Sequence, residues 1–369
     1  MTPFHTTFYF LNNQRKVDQL EKSFTAIADQ LELYEKQHSS TIKNYLKSWQ
    51  EELDGLTARY KKSEKRAQEK YDETIGDNDP ENQDNIAYAT HISGIDYLAH
   101  NKQENIEEIK AKYSDFLDLF SKSTLIGLYS LNESFLNKIC ELTSQTFERK
   151  IKLSHFSQRD YLISSFNYLE LVIDLPIKPF EKYISKLKDI QGIRNKIIHE
   201  GSEIKDSSIL KTIEKYSPNL KYDKEKEFLR IVSSDFIKDF FKLLKNLYQE
   251  LLWQLEERQE YVTLKSILEN WFGLIEGKIT ISEINSTKTL SKTRTIDFKI
   301  ESDNKKIPEL KGKLSLTSGK GYEVETIDQS ENELIKELLV AEKDLINLNM
   351  ELKTFMTFDK NLDIRLLIY

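Results

Sequence analysis

The sequence predicts a mainly α-helical protein: a long N-terminal helical hairpin resembling a coiled coil, a central helical bundle, and a small C-terminal α+β region. Three observations carry this expectation. Only 11 glycines and 6 prolines occur in 369 residues, so helix breakers are missing over long stretches. Apolar residues recur at three- and four-residue intervals through the first two thirds of the chain, the period of a helix with one buried face. Beyond residue 277 the pattern switches to alternation, the period of a half-buried strand.

The N-terminal helix is read over residues 14–75. Val17, Leu20, Phe24, Ile27, Leu31 and Tyr34 occupy alternating three/four positions. After His38 the phase slips by four, and Ile42, Leu46, Trp49, Leu53, Leu56 and Tyr60 resume it. A slip of this kind unwinds a supercoil locally without ending the helix. GDNDPENQDN (76–85) breaks it, because Pro80 cannot continue a helix and an acidic run without apolar residues has nothing to bury. Residues 86–120 return to helical spacing through Ile92, Ile95, Ile106, Ile109, Tyr113 and Phe116, which makes an antiparallel hairpin with an acidic tip.

The bundle follows. A helix over 119–143 places Leu125, Leu128, Leu131 or Asn132, and Phe135 on one face. A second covers about 157–174 and stops before Pro176. A third starts after Pro179 and ends at Gly201, a natural position for a left-handed residue. A polar stretch with Pro218 leads into an amphipathic helix over 233–258, with Phe236, Phe240, Leu243, Leu247, Leu251 and Trp253 inward. In the last third, KITISEI (278–284), RTIDFKI (294–300), GKLSLT (312–317) and YEVETI (322–327) alternate as strands, with SGKG (318–321) as a hairpin turn. A helix near 330–354 and a final strand at NLDIRLLIY complete the region. The SGKG run lacks the upstream glycine of a phosphate loop.

Charge and composition narrow the function classes. With 54 basic and 61 acidic side chains the formal charge is -7, against bulk coating of nucleic acid but not against a local basic site. Residues 178–215 hold nine Lys and Arg against six Asp and Glu. One cysteine, Cys140, leaves no internal disulfide and fits a reducing, cytoplasmic home. Six scattered histidines without paired spacing offer no metal cage, so neither metal nor other cofactor is expected. No apolar run reaches the roughly 18 residues a membrane span needs, and the N-terminus lacks a secretory pattern.

The one compact polar cluster in an otherwise apolar helix is GIRNKIIHEG (192–201). Ile190, Ile193 and Ile197 form the core stripe, and Arg194 sits at its edge. Asn195 and His199, four residues apart, stack on a face nearly opposite the isoleucines. His199 lies in the last helical turn, where exposed carbonyls favour an imidazolium and poise it to exchange protons near neutrality. The fork of Arg194 matches phosphate oxygens, and Asn195 suits orienting a histidine or a ribose hydroxyl. The set fits metal-independent phosphodiester cleavage, with two copies needed for an adequate active site. It equally fits a surface arginine and histidine flanking a helix end.

KLKDIQGIRNKIIHEG resembles the signature of the HEPN superfamily: arginine, a polar residue, three or more residues, then histidine. LYSLNESFLNKICEL (128–142), with Tyr129, Ser130 and Glu133, is similar to that family's first core helix, and EFLRIVSSDFIKDFFKLLKNLYQELL (227–252) to its closing one. The resemblance covers residues 115–258. It implies a metal-independent endoribonuclease whose motifs meet across a homodimer, often a toxin or abortive-infection effector, generally leaving a cyclic phosphate. Carried across, Arg194 and His199 are catalytic and Asn195 supports them. Glu133 becomes a partner of the arginine, or else an ordinary surface acid. Lys196 becomes an RNA contact, or else a solvated lysine.

The expected organisation is therefore an arm over 1–114, a HEPN-like bundle over 115–258 and an α+β region over 259–369. The expected partners are an RNA substrate, a second copy of the chain and an antitoxin or defence-system protein, with no membrane. The alternative is a non-catalytic HEPN-like interaction or dimerisation protein, serving as a partner or sensor subunit in a defence complex.

Overall fold

A computed structural model describes residues 4–76, 81–156, 160–204, 208–225, 227–272, 279–288, 293–302, 310–317 and 321–326. The fold is mainly helical, as the breaker count predicts. Helix α1 runs Phe4–Gly76. After the acidic break, α2 (Gln83–Ser93) starts on Asn82, whose side chain accepts the Asp84 amide at 2.9 Å. Gly94 then separates α2 from α3 (Ile95–Thr146), taking the left-handed conformation (φ 69°) that a side chain disfavours. The two helices expected over 86–120 and 119–143 are thus interrupted at residue 94 and continuous across 120. The boundary expected at residue 114 falls inside α3, because nothing in KAKYSDFLDLF breaks a helix.

The chain divides into two compact units, Phe24–Glu250 and Met1–Ser23 with Leu251–Tyr369. Within Phe24–Glu250, α1 and α3 lie antiparallel. Tyr45 stacks on Phe116 at 3.6 Å, Trp49 lies against Tyr113 at 5.1 Å, and farther along Lys102 reaches Glu64 at 2.8 Å. The inward residue of this stretch is Tyr45, while Leu46 is 43 % exposed. Aromatic stacking on α3 sets that phase, which an apolar count in one helix does not register.

Helix α3 then becomes the spine of the bundle. It packs against α4 (Tyr161–Leu171) and α5 (Glu181–His199). Asp160 caps α4 by accepting the Ile163 amide at 3.2 Å. Pro179 lies in a short 3-10 turn, Lys178–Phe180, that leads into α5. The end of α5 is set by positive φ at Gly201 (57°) and Ser202 (76°), where the Ser202 amide returns to the Lys196 carbonyl at 3.1 Å.

Between α5 and the last long helix the structure holds elements that the sequence reading passed over as a polar stretch. These are α6 (Ser208–Lys215) and an antiparallel hairpin of β1 (Leu220–Asp223) and β2 (Phe228–Ile231). Their signals are short: Ile209 and Ile213 in α6, and Leu220, Leu229 and Ile231 in the hairpin, all buried. Hairpin and spine are joined by a buried ion pair. Lys122 Nζ donates to Asp118 Oδ2 at 2.8 Å and to the Leu229 carbonyl at 2.6 Å, and Asp118 Oδ1 accepts the Ile231 amide at 2.7 Å.

Helix α7 spans Asp235–Phe272, longer than expected. Within Phe24–Glu250 its Phe240, Phe241, Leu244 and Leu247 are fully buried. Tyr248 donates to Asn132 Oδ1 at 2.7 Å, so the inward polar residue of α3 is a specific tie to α7. Trp253, expected inward, is 39 % exposed. In the other unit a four-stranded antiparallel meander joins β3 (Ile279–Lys288), β4 (Thr293–Ser302), β5 (Leu310–Thr317) and β6 (Gly321–Thr326). These are the four alternating segments. The 318–320 part of the turn, the helix near 330–354 and the final strand lie outside the described residues. Among the described residues no helix is long and apolar enough to cross a membrane.

Candidate functional site

The motif residues all lie on the second half of α5, and helix geometry separates them. Ile190 and Ile193 are buried, 3 % and 0 % exposed, and fix the face that α5 turns inward. Arg194 is half-buried at the edge of that face, while Asn195 and His199 are exposed. The Arg194 guanidinium lies over the Tyr129 ring at 5.9 Å and donates through Nη1 to Asn195 Oδ1 at 3.0 Å. An arginine anchored this way loses little further rotamer freedom on meeting an anion, because its stem is packed and its fork already oriented.

The wall behind the arginine comes from α3 and from the start of α4. Tyr129 is fully buried and Glu133 half-buried, one helical turn apart on α3. Burial pushes the Glu133 carboxyl above the ordinary range; Arg194 opposes the shift and Asp160 adds to it. The Tyr129 phenol is pushed up by burial and by the same two acids, again against Arg194. Tyr129, Glu133, Asp160 and Arg194 therefore share one electrostatic environment, in which one cation faces two carboxylates. Asp160 is the member that sequence reasoning missed. It reads as a helix cap, and nothing local in the chain indicates that the cap faces α3.

His199 stands apart from this group. It occupies the last residue of α5, exposed, and its ring makes no hydrogen bond or ion pair with a described residue. Five residues on an α-helix turn the side chain by about 140° and advance it by about 7.5 Å. Arg194 and His199 of one chain thus lie on different flanks. Lys196 is tied to Glu200, its Nζ 2.7 and 2.9 Å from the two carboxylate oxygens, so its charge is already paired. Gly192 sits where α6 crosses α5; a Cβ there would meet Ile209 Cδ1 at 3.3 Å.

Other chemistry finds little support among the described residues. Cys140 is buried, and burial pushes its thiol up to about 12, far from a thiolate at neutral pH. No three His, Cys, Asp or Glu side chains gather as a cation cage would require. What the arrangement offers is a fixed guanidinium, an amide bonded to it, and an accessible imidazole at a helix end. No family model, curated protein or solved structure matches the chain.

Proposed function

We propose that the chain is a metal-independent endoribonuclease of HEPN type, acting as a homodimeric toxin or antiphage effector. The observation that carries this reading is the Arg194–Asn195 pair, bonded at 3.0 Å at the edge of the core, with His199 exposed one turn farther on. In the reaction the imidazole of His199 accepts the proton of a ribose 2′-hydroxyl. The freed oxygen attacks phosphorus, the bond to the 5′ oxygen breaks, and an imidazolium returns the proton to that leaving oxygen. The products are a 2′,3′-cyclic phosphate and a 5′-hydroxyl. Arg194 stabilises the charge that builds on the phosphoryl oxygens, and Asn195 keeps the guanidinium aimed.

The 140° separation bears on the dimer. One α5 does not aim Arg194 and His199 at the same phosphate, so the reading requires a homodimer that packs the α5 helices about a two-fold axis with the arginine of one copy beside the histidine of the other. The test is cleavage of total RNA or tRNA by the purified protein in EDTA. Removing a positioned acid–base group costs about 10²–10⁴ in rate, so His199→Ala and Arg194→Ala are expected to be slower by at least about a hundredfold. Equal activity in wild type and both variants refutes the nuclease reading.

One observation favours a second reading, a non-enzymatic interaction protein. Tyr88 and Tyr97, on α2 and the start of α3, are 58 % and 71 % exposed, apolar area of the kind a partner covers. Under that reading any growth arrest survives His199→Ala but not Tyr88→Glu with Tyr97→Glu.

A further inference from the structure

A cavity of about 470 Å³ opens between α5 and α7, in the size range of ligand sites. Its floor is apolar: Ile190 and Phe240 are buried and Leu243 is half-buried. Lys182 and Lys186 line one side of it from α5, and Lys242 lines the other from α7. All three are exposed, and none makes an ion pair with a described residue. Other lysines on these helices and on α6 are held by acids. Lys238 is held by Asp235, Lys196 by Glu200, Lys215 by Asp189 and Lys245 by Glu35. Asp189 is doubly engaged, accepting from the Tyr216 hydroxyl at 3.2 Å as well, so its charge is spent beside the cavity. Asp239 is the one acid among the described lining residues, which leaves two positive charges in excess there. Lys182 Nζ lies over the Tyr183 ring at 4.8 Å, a contact that leaves its charge in place. On an acidic chain, three ammonium groups without a carboxylate partner among the described residues form a local positive field around one concavity.

By helix geometry, Lys182 and Lys186 lie 12 and eight residues before Arg194, about 18 and 12 Å along the axis, and on the other edge of the buried face. The cavity is separate from the proposed reacting centre but fixed to it by one rigid helix.

We infer that this cavity is an anchoring site for a single-stranded stretch of the RNA substrate, with Lys182, Lys186 and Lys242 on its phosphates. The inference rests on the nuclease reading above and extends it. Lysine is suited to the role: a point charge on a flexible stem follows a backbone without demanding one geometry. The exposed amide of Asn246 and the half-buried ring of Tyr216, also in the lining, offer a base edge a hydrogen bond and a base some apolar area. With the other rings of the floor largely covered, phosphate contacts dominate, and the site holds RNA with little regard to sequence.

The test uses the full chain carrying His199→Ala and a short fluorescein-labelled 2′-O-methyl oligouridine, which lacks the attacking hydroxyl and stays intact whether or not the chain is a nuclease. Lys182→Glu, Lys186→Glu and Lys242→Glu together are expected to weaken binding at least tenfold. Circular dichroism melting reports that the triple variant is folded, and the three single Lys→Gln variants repeat the measurement with a milder change. Each single-strand phosphate contact contributes about 0.7 to the slope of log affinity against log salt, so losing three flattens it by about 2. Unchanged affinity and slope in the triple variant overturn the inference. So does displacement of the oligouridine by poly-glutamate at equal charge, which would mark a site for acidic protein instead. Cleavage of unmodified RNA by the wild type and by the His199→Ala chain, measured separately, bears on the nuclease reading alone, so the two failures are told apart.

Discussion

Replacing Lys122 by Met is the sharpest test of how the bundle holds its hairpin. The Lys122 and Asp118 side chains are each 7 % exposed. The pair does more than cancel charge. Asp118 accepts the Ile231 amide, Lys122 donates to the Leu229 carbonyl, and the ammonium lies 4.2 Å from the centre of the Phe228 ring. Burial drives the ammonium downward in pKa, and the bond to Asp118 holds it up. Methionine fills the space of the stem but leaves a buried carboxylate with one amide partner and an unpaired carbonyl. Breaking a buried pair from one side costs about 3–5 kcal/mol. For a unit of this size that corresponds to a fall in Tm of roughly 6–20 °C by circular dichroism. Lys122→Met with Asp118→Leu removes both charges and is expected to recover much of the loss, while the Ile231 amide loses its acceptor. Hydrogen exchange adds a local readout, since the amides of Leu229 and Ile231 are expected to lose protection before those of α4. A single variant that melts within 1 °C of wild type would refute the reasoning, because the ion pair would then have no structural role.

Further outcomes follow from two other buried contacts. His38 is 2 % exposed, stacked on Phe120 at 5.4 Å and set against Phe241 at 6.2 Å. Burial and Lys238 lower its pKa against the pull of Glu35. The unfolded chain therefore binds the proton first, and stability falls as pH drops below about 6.5. Denaturant melts of wild type at about pH 7.5 and 5.5 should show that loss, and His38→Phe should reduce it; an identical acid limb in both proteins contradicts the assignment. At Gly127 a Cβ would stand 2.7 Å from the Tyr34 hydroxyl. Gly127→Ala should cost about 1–3 kcal/mol by denaturant unfolding, and adding Tyr34→Phe should return most of it. If the second change gives no recovery, α1 and α3 are not set apart by that hydroxyl.

Much of the fold was legible before any coordinates because it rests on local rules. Scarce breakers and a three/four spacing yield long helices, Pro80 and the acidic run end the first, and Gly201 marks the end of α5 for backbone reasons, whereas the interruption at Gly94 was not anticipated. The exposed placement of Asn195 and His199 follows from the isoleucine stripe by rotation alone. The errors were equally physical. Leu46 and Trp253 are apolar, but the inward face at those points is set by what the opposite element offers, which a single helix does not encode. Elements of four to eight residues, α6 and the β1–β2 hairpin, carry too few apolar positions to announce a period.

The sequence by itself determined the helical class, the four strand segments beyond residue 277 and the Arg194-Asn195-x3-His199 cluster at a helix end. These depend on neighbours within a few residues of one another. Tertiary structure alone decided that Arg194 rests over Tyr129 and faces Glu133 and Asp160. It also decided that Lys182 and Lys186 of α5 meet Lys242 of α7 around one cavity, and that Asp118 and Lys122 grip a hairpin more than 100 residues away. Each of those facts is an encounter between distant segments. Electrostatic partners are chosen by proximity in space, and periodicity carries no information about it.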